Sequence, residues 1–255
     1  MKKIALLVFS VLLLSSCNEL LQVASQVGTL STSTSAGVTN SENIAGLKSA
    51  LNVGIQDAVG FLGKENGFYS DAALKILLPK EAQPIIDNIK LIPGGQKLVN
   101  DAILSLNRSA EDAVKEATPI FKSAITSMSI TDAASILFGA DNAATTYLHG
   151  KTYNSLKSAF SPKVKASLDK PLVAGFSTTE SWKSLTTAYN SVANSVVGSV
   201  AGLKSVNVNL EEYVTEKALD ALFVKVAAEE KSIRTDPAAR INSILQRVFG
   251  QLDKK

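Results

Sequence analysis

Residues 96–117 read QKLVNDAILSLNRSAEDAVKEA. Val99, Ile103, Leu106, Ala110, Ala113, Val114 and Ala117 recur every three or four positions, which puts them on one side of an α-helix. Lys97, Asp101, Arg108, Asp112 and Lys115 take the opposite side. Pro93-Gly94-Gly95 stops whatever precedes this helix. Pro119 stands in the first turn of the next, where a missing N–H costs little.

The same spacing extends in both directions. Downstream, Ile120, Phe121, Ile125 and Met128 continue the pattern. Ser129 or Thr131 is placed to cap a helix over 132–138, which Gly139 ends. Asp141 is placed to cap another through Leu148, and further helices are expected at about 152–169, 178–197, 210–233 and 237–249. Upstream, Ile44, Leu47, Leu51, Ile55, Ala58, Val59 and Leu62 form a stripe with Asn40 or Ser41 as cap. Residues 64–71 read as a loop around Gly67, 75–79 as extended before Pro79, and 80–91 as helix. β-type alternation is confined to Val206-Asn207-Val208. The expected fold is therefore all-α, a single multi-helix domain over 41–250 with a short tail at 251–255. One tiny two-stranded ladder between 75–78 and 206–208 is compatible with the pattern.

Composition removes several function classes. The 255 residues include one Cys, one His and one Trp, so neither a Cys/His zinc site nor an intrachain disulfide can be assembled. A His-based triad has only His149 to draw on. Lys and Arg total 26 against 23 Asp and Glu, with no clustered basic excess, so nucleic acid is not an expected partner. No cofactor is implied.

The start of the chain carries an address. Lys2 and Lys3 precede an apolar run from Ile4 to Leu14, broken only by Ser10, and Leu14-Ser15-Ser16-Cys17 follows. This is the three-part pattern of a signal peptide, expected over 1–16, with the small residues before Cys17 resembling a bacterial lipobox. Cys17 is the expected lipid attachment site and the membrane the expected partner through it. Residues 17–40, with Leu30-Ser31-Thr32-Ser33-Thr34-Ser35-Ala36-Gly37, read as a flexible tether. Asn18, rather than Asp, follows the Cys. By resemblance to bacterial sorting rules, that favours the outer membrane, facing the periplasm.

The remaining motifs are weak. Gly150-Lys151-Thr152 lacks the first glycine of a phosphate loop, because Thr145 stands there. Gly198-x-x-x-Gly202 has polar residues just upstream and reads as a flexible helix end. Asn107-Arg108-Ser109 is formally a glycosylation sequon inside the best helix and is discarded. His149 is expected at a helix end, where the dipole favours it.

The polar residues beside apolar stripes are the candidate site. Asn107 and Glu111 flank one stripe; Glu229 and Glu230 straddle Leu219, Leu222, Val226 and Ile233. Arg234 follows Glu230 by four residues, and Arg240 lies nearby. Asp132 and Asp141 serve as caps or face inward. The principal reading is a structural ion-pair and capping network. A ligand pocket is second, and a carboxylate acid–base pair third, since no nucleophile signature accompanies the acids.

Several stretches resemble one family. They include Gly46-Leu47-Lys48-x-Ala50-Leu51, Leu104-Ser105-Leu106-Asn107-Arg108-Ser109-Ala110-Glu111, Pro119-Ile120-Phe121 and Ser127-Met128-Ser129-Ile130-Thr131-Asp132-Ala133. Ala143-Ala144-Thr145-x-Tyr147-Leu148, Tyr213-Val214-Thr215-x-Lys217-Ala218-Leu219-Asp220, Glu229-Glu230-Lys231-x-Ile233-Arg234, Pro237-Ala238-Ala239-Arg240 and Val248-Phe249-Gly250 follow in order. Together they resemble the bacterial envelope proteins of domain-of-unknown-function family 4197. The resemblance implies a helical, periplasm-facing lipoprotein and carries no catalytic residues. The functional expectation is a non-enzymatic protein binding an apolar ligand or an envelope protein partner. A carboxylate-based hydrolase of envelope polymer or lipid is one alternative, and a structural assembly accessory the other.

Overall fold

Thr39, not Asn40 or Ser41, caps the first helix. Its hydroxyl accepts from the Glu42 N–H, and the Glu42 carboxylate accepts from the Thr39 N–H, a reciprocal capping box. The computed structural model describes residues 37–254; the expected signal peptide, Cys17 and most of the expected tether lie outside the described residues. From Thr39 onward the chain forms one compact unit.

The helices are α1 (Asn40–Leu62), α2 (Gln83–Asp87), α3 (Gly95–Ala113), α4 (Ala117–Ser127) and α5 (Ala133–Leu137). They continue as α6 (Ala143–Leu168), α7 (Thr178–Ala193), α8 (Val196–Val200), α9 (Leu210–Thr235) and α10 (Ser243–Phe249). The fold is all-α. α1 is buried around most of its circumference and packs on α9 and α10. Gly46 permits this: a methyl there would come within 2.6 Å of Val248. Leu219, Leu222, Val226 and Ile233 of α9 are all buried, as their spacing predicts. α6 runs antiparallel to α9, with Thr145 against Glu230 at one end and Lys157 against Glu212 and Glu216 toward the other.

Three expectations need correction. The 75–78 with 206–208 ladder does not form; among the described residues the sole β-type pairing is the bridge Val173–Phe176. Each extended segment instead pairs with one asparagine side chain. Asn107 accepts from the Ile76 N–H at 2.9 Å and donates to the Ile76 carbonyl at 2.8 Å. Asn190 does the same for Val206, at 2.8 and 3.0 Å. A carboxamide carries both a donor and an acceptor, so one side chain replaces a ladder rung.

The second correction is α6, which runs without a break through His149 and Gly150. Leu148 before that point and Leu156, Phe160 and Val164 after it are buried, and their packing outweighs the roughly 1 kcal/mol a single helical glycine costs. The third concerns helices expected to be continuous: 80–91 divides into the turn Lys80–Ala82, the short α2 and the turn Ile89–Leu91, 178–197 into α7 and α8, and 237–249 into the turn Pro237–Ala239 and α10.

Tyr189 on α7 is fully buried, and its hydroxyl is the one buried side-chain polar atom without a hydrogen bond among the described residues. Burial and the Asp87 charge raise its pKa. An orphaned polar group costs about 1–3 kcal/mol. Tyr189→Phe is therefore expected to melt at or above the wild-type temperature; a clear drop would mean the hydroxyl has a partner in solution.

Candidate functional site

The eight candidate polar residues do not converge on one site. Glu230 is fully buried on α9 and faces the first turn of α6. Its two carboxylate oxygens accept from the Ala144 and Thr145 N–H groups at 2.9 and 2.7 Å and from the Thr145 hydroxyl at 2.7 Å. Those N–H groups have no intrahelical partner, and the helix dipole favours an anion there. Glu230 thus caps α6 from another helix. Asp141, expected to cap α6, is exposed and lies 3.5 Å from Lys231.

Arg234 completes the arrangement. Its Nε and Nη2 donate to Glu230 Oε1 at 2.9 and 2.7 Å. Nη1 and Nη2 also donate to the Leu137 and Ile136 carbonyls at 2.6 and 3.0 Å, at the C-terminal end of α5. One ion pair on α9 therefore holds two helix ends, the anion on N–H groups and the cation on carbonyls. Arg240 makes a separate clasp, donating to the Ile233 and Arg234 carbonyls and, bidentately, to Asp253. Asp132 caps α5 through the Ser135 N–H, so Ser129 and Thr131 are not its cap.

On α3, Asn107 and Glu111 are buried but serve different neighbours. Glu111 accepts from the Phe68 and Tyr69 N–H groups and from Arg108, fixing the 64–70 turn. Asn107 holds Ile76, and its buried amide is committed to that role.

Glu229 stands apart, half-buried, its pKa raised by burial and by the Asp57 charge. A raised folded-state pKa means ionisation opposes folding. That penalty is absent in acid, grows as pH rises from the ordinary carboxylate pKa to the raised value, and is complete above it. Glu229→Gln is expected to melt higher than wild type at neutral pH and equally at acid pH; the reverse order would contradict the direction of the shift.

His149 is exposed in mid-helix, not at a helix end. Its ring lies 4.5 Å from Tyr153 and 4.7 Å from Phe223, centroid to centroid. The Tyr153 hydroxyl donates to Asp220, and burial together with that carboxylate pushes its pKa up to about 12. A phenol so disposed is a weak acid at neutral pH. No cluster of His, Cys, Asp and Glu among the described residues is arranged to hold a metal ion.

An open cavity lies elsewhere. A groove of about 740 Å³ lies between α4 and α6, lined also by Met128, Ser129 and Thr131 of the connection that follows α4. Ile120, Ala124, Met128, Leu156 and Ala159 make its apolar surface. Ser123, Ser127, Ser129, Thr131, Tyr147, Thr152 and Ser155 supply hydroxyls. Lys151 is the one charged side chain among the described lining residues, its ammonium 5.7 Å from the Tyr147 ring centre. No candidate residue from the acid network lines it. Its signal in the sequence is faint: Tyr147, Lys151, Ser155 and Ala159 recur every four residues, as do Ser123 and Ser127 facing them. Ser123 and Ser127 on α4 and Ser155 and Ala159 on α6 are too short to fill the space between the two helices.

No described helix is long and apolar enough to cross a membrane. Neither the curated proteins nor the solved structures contain a match to the chain. A family model described as "Protein of unknown function (DUF4197)" matches residues 37–250, spanning every helix described above. The chain belongs to the DUF4197 family.

Proposed function

We propose that this protein is a lipid-anchored, periplasm-facing component of the bacterial envelope that binds an amphiphilic molecule in the α4–α6 groove, without catalysing a reaction. The groove carries the reading. Its volume of about 740 Å³ falls within the range of small-molecule sites, about 300–1,000 Å³. An apolar floor accepts an alkyl chain, hydroxyls line its sides, and Lys151 supplies a single positive charge for an acidic head group. The acids support the same reading from the other side. Glu230 and Glu111 are buried and each holds backbone N–H groups and an arginine, so both are committed to structural partners. The anchor rests on Leu14-Ser15-Ser16-Cys17 after the apolar run.

Native mass spectrometry of protein extracted from membranes tests both parts. An acidic amphiphile is expected to co-purify with wild type and to be lost from Ser155→Trp, whose ring fills the groove from an exposed helix position. An equal adduct on both proteins, or none on either, would overturn the groove reading. Cys17→Ser is expected to lose acyl mass and membrane attachment; unchanged acylation would overturn the anchor.

A further inference from the structure

The α4–α6 groove has a direction. The Tyr147 hydroxyl donates to the Ser129 carbonyl at 2.7 Å, just past the C-terminal end of α4. Lys163 pairs with Glu116, just before the N-terminal end of α4. The two walls therefore run antiparallel, which brings Ile120 level with Leu156 and Ala159, and Ser127 level with Lys151. At 1.5 Å per residue, Lys151 and Ala159 stand about 12 Å apart along α6. Chemistry separates the two ends. Thr131, Tyr147, Lys151 and Thr152 gather toward the 127–131 end, whereas Ile120, Leu156 and Ala159 make the other.

The charge at the polar end is uncompensated. Neither 117–131 nor α6 contains an Asp or Glu. Farther along α6, Lys157, Lys163 and Lys165 are each paired with a carboxylate from outside that helix. Lys151 has no ion pair among the described residues. Its ammonium lies 5.7 Å from the Tyr147 ring centre, within reach of a cation–π contact that holds it over the groove. The hydroxyls of Ser129 and Thr131 likewise make no hydrogen bond among the described residues. Those of Ser127 and Thr152 are already donated to carbonyls of their own helices. A cation without a counter-ion beside two free hydroxyls is a donor set for an anion. The apolar end is a single strip, with Ile120 and Ala124 on α4 across from Leu156 and Ala159 on α6. Such a strip has room for one alkyl chain between the helices.

On the footing of the groove proposed above as a binding site, we infer that it takes a single-chain amphiphile in one direction. The anionic head sits at Lys151, Ser129 and Thr131, and the chain runs along α6 to Ala159. The test titrates the full chain carrying Cys17→Ser with decyl phosphate, decanol and decylamine by calorimetry. Binding that disappears on adding Ser155→Trp is the binding in the groove. Decyl phosphate should bind tightest. Lys151→Glu should invert the order, so that decylamine binds tighter than decyl phosphate. Ala159→Trp should weaken decyl phosphate several-fold and hexyl phosphate little, because only the longer chain reaches that residue. Dihexanoyl phosphatidate should bind no tighter than hexyl phosphate. Lys151 and Ala159 are exposed, so both variants should melt with the parent protein. An unchanged order in Lys151→Glu overturns the placement of the head. An equal effect of Ala159→Trp on both chain lengths, or none on either, overturns the direction, and tighter binding of the phosphatidate overturns the single chain. Absence of groove binding by the phosphate, the alcohol and the amine alike would overturn the groove itself.

Discussion

Arg234→Ala is expected to lower stability by about 3–5 kcal/mol, because it strands a fully buried carboxylate beside the α6 N-terminus. For a domain of this size that is a fall of roughly 10 °C in melting temperature. Glu230 would keep the Ala144 and Thr145 donors, so the protein should still fold. The Leu137 and Ile136 carbonyls would lose their donor at the same time. Glu230→Gln should also destabilise: wherever its amide nitrogen points, it meets a backbone N–H or the Arg234 guanidinium. The double variant should lose less than the sum of the two singles, since each single leaves the other member unpaired. Melting temperatures within about a degree of wild type for all three would refute the structural role.

Asn107 carries the second large effect. Asn107→Ala orphans the N–H and carbonyl of Ile76, which is 2% exposed. Each buried group left unpaired costs about 1–3 kcal/mol, so a loss of about 2–4 kcal/mol is expected. Asn107→Asp is the sharper test. The wild-type amide nitrogen donates to both the Ile76 and Ile103 carbonyls, at 2.8 and 2.7 Å. An ionised carboxylate in its place would face two acceptors, which raises its folded-state pKa above the unfolded value. The penalty is then present at neutral pH and fades as pH falls through the raised pKa. Urea melts of Asn107→Asp should approach those of wild type in acid and fall below Asn107→Ala at neutral pH. Equal stability of the Asp and Asn forms at neutral pH would show that the clasp is not formed.

These two predictions mark where sequence reading succeeds and where it stops. Helices with an uninterrupted stripe are legible, because one face of each must be removed from water: Val99, Leu106, Ala110 and Ala113 on α3, Leu219, Leu222, Val226 and Ile233 on α9, are all buried. Pro119 in the first turn of α4 and the extended residues before Pro79 follow from local sterics alone. The Glu230–Arg234 pair is also legible from its spacing. Its task is not, since the α6 N-terminus it caps is 85 or more residues away in the chain. Without that knowledge the local rule assigns the cap to Asp141, and the lone Gly150 to a helix end. The 206–208 alternation suggests a strand, but Val206 takes its backbone partner from Asn190, an ordinary-looking helix residue. On α3 the buried arc is wider than the apolar stripe, taking in Ser105, Asn107, Ser109 and Glu111. Polar residues enter a core wherever a neighbouring backbone needs a donor or acceptor, and that need is set by tertiary placement. The groove is harder still, because which face of α4 stands opposite which face of α6 is set by tertiary placement.

The most direct measurement is equilibrium binding of cis-parinaric acid, a fluorescent fatty acid, to wild type, Ser155→Trp, Lys151→Glu and Glu229→Gln. A groove with an apolar floor and one cation predicts binding to wild type and Glu229→Gln alike, weakened by Lys151→Glu and abolished by Ser155→Trp, with all four proteins equally helical. Undiminished binding to Ser155→Trp, or its loss on Glu229→Gln alone, would contradict the account and return the function to the carboxylates.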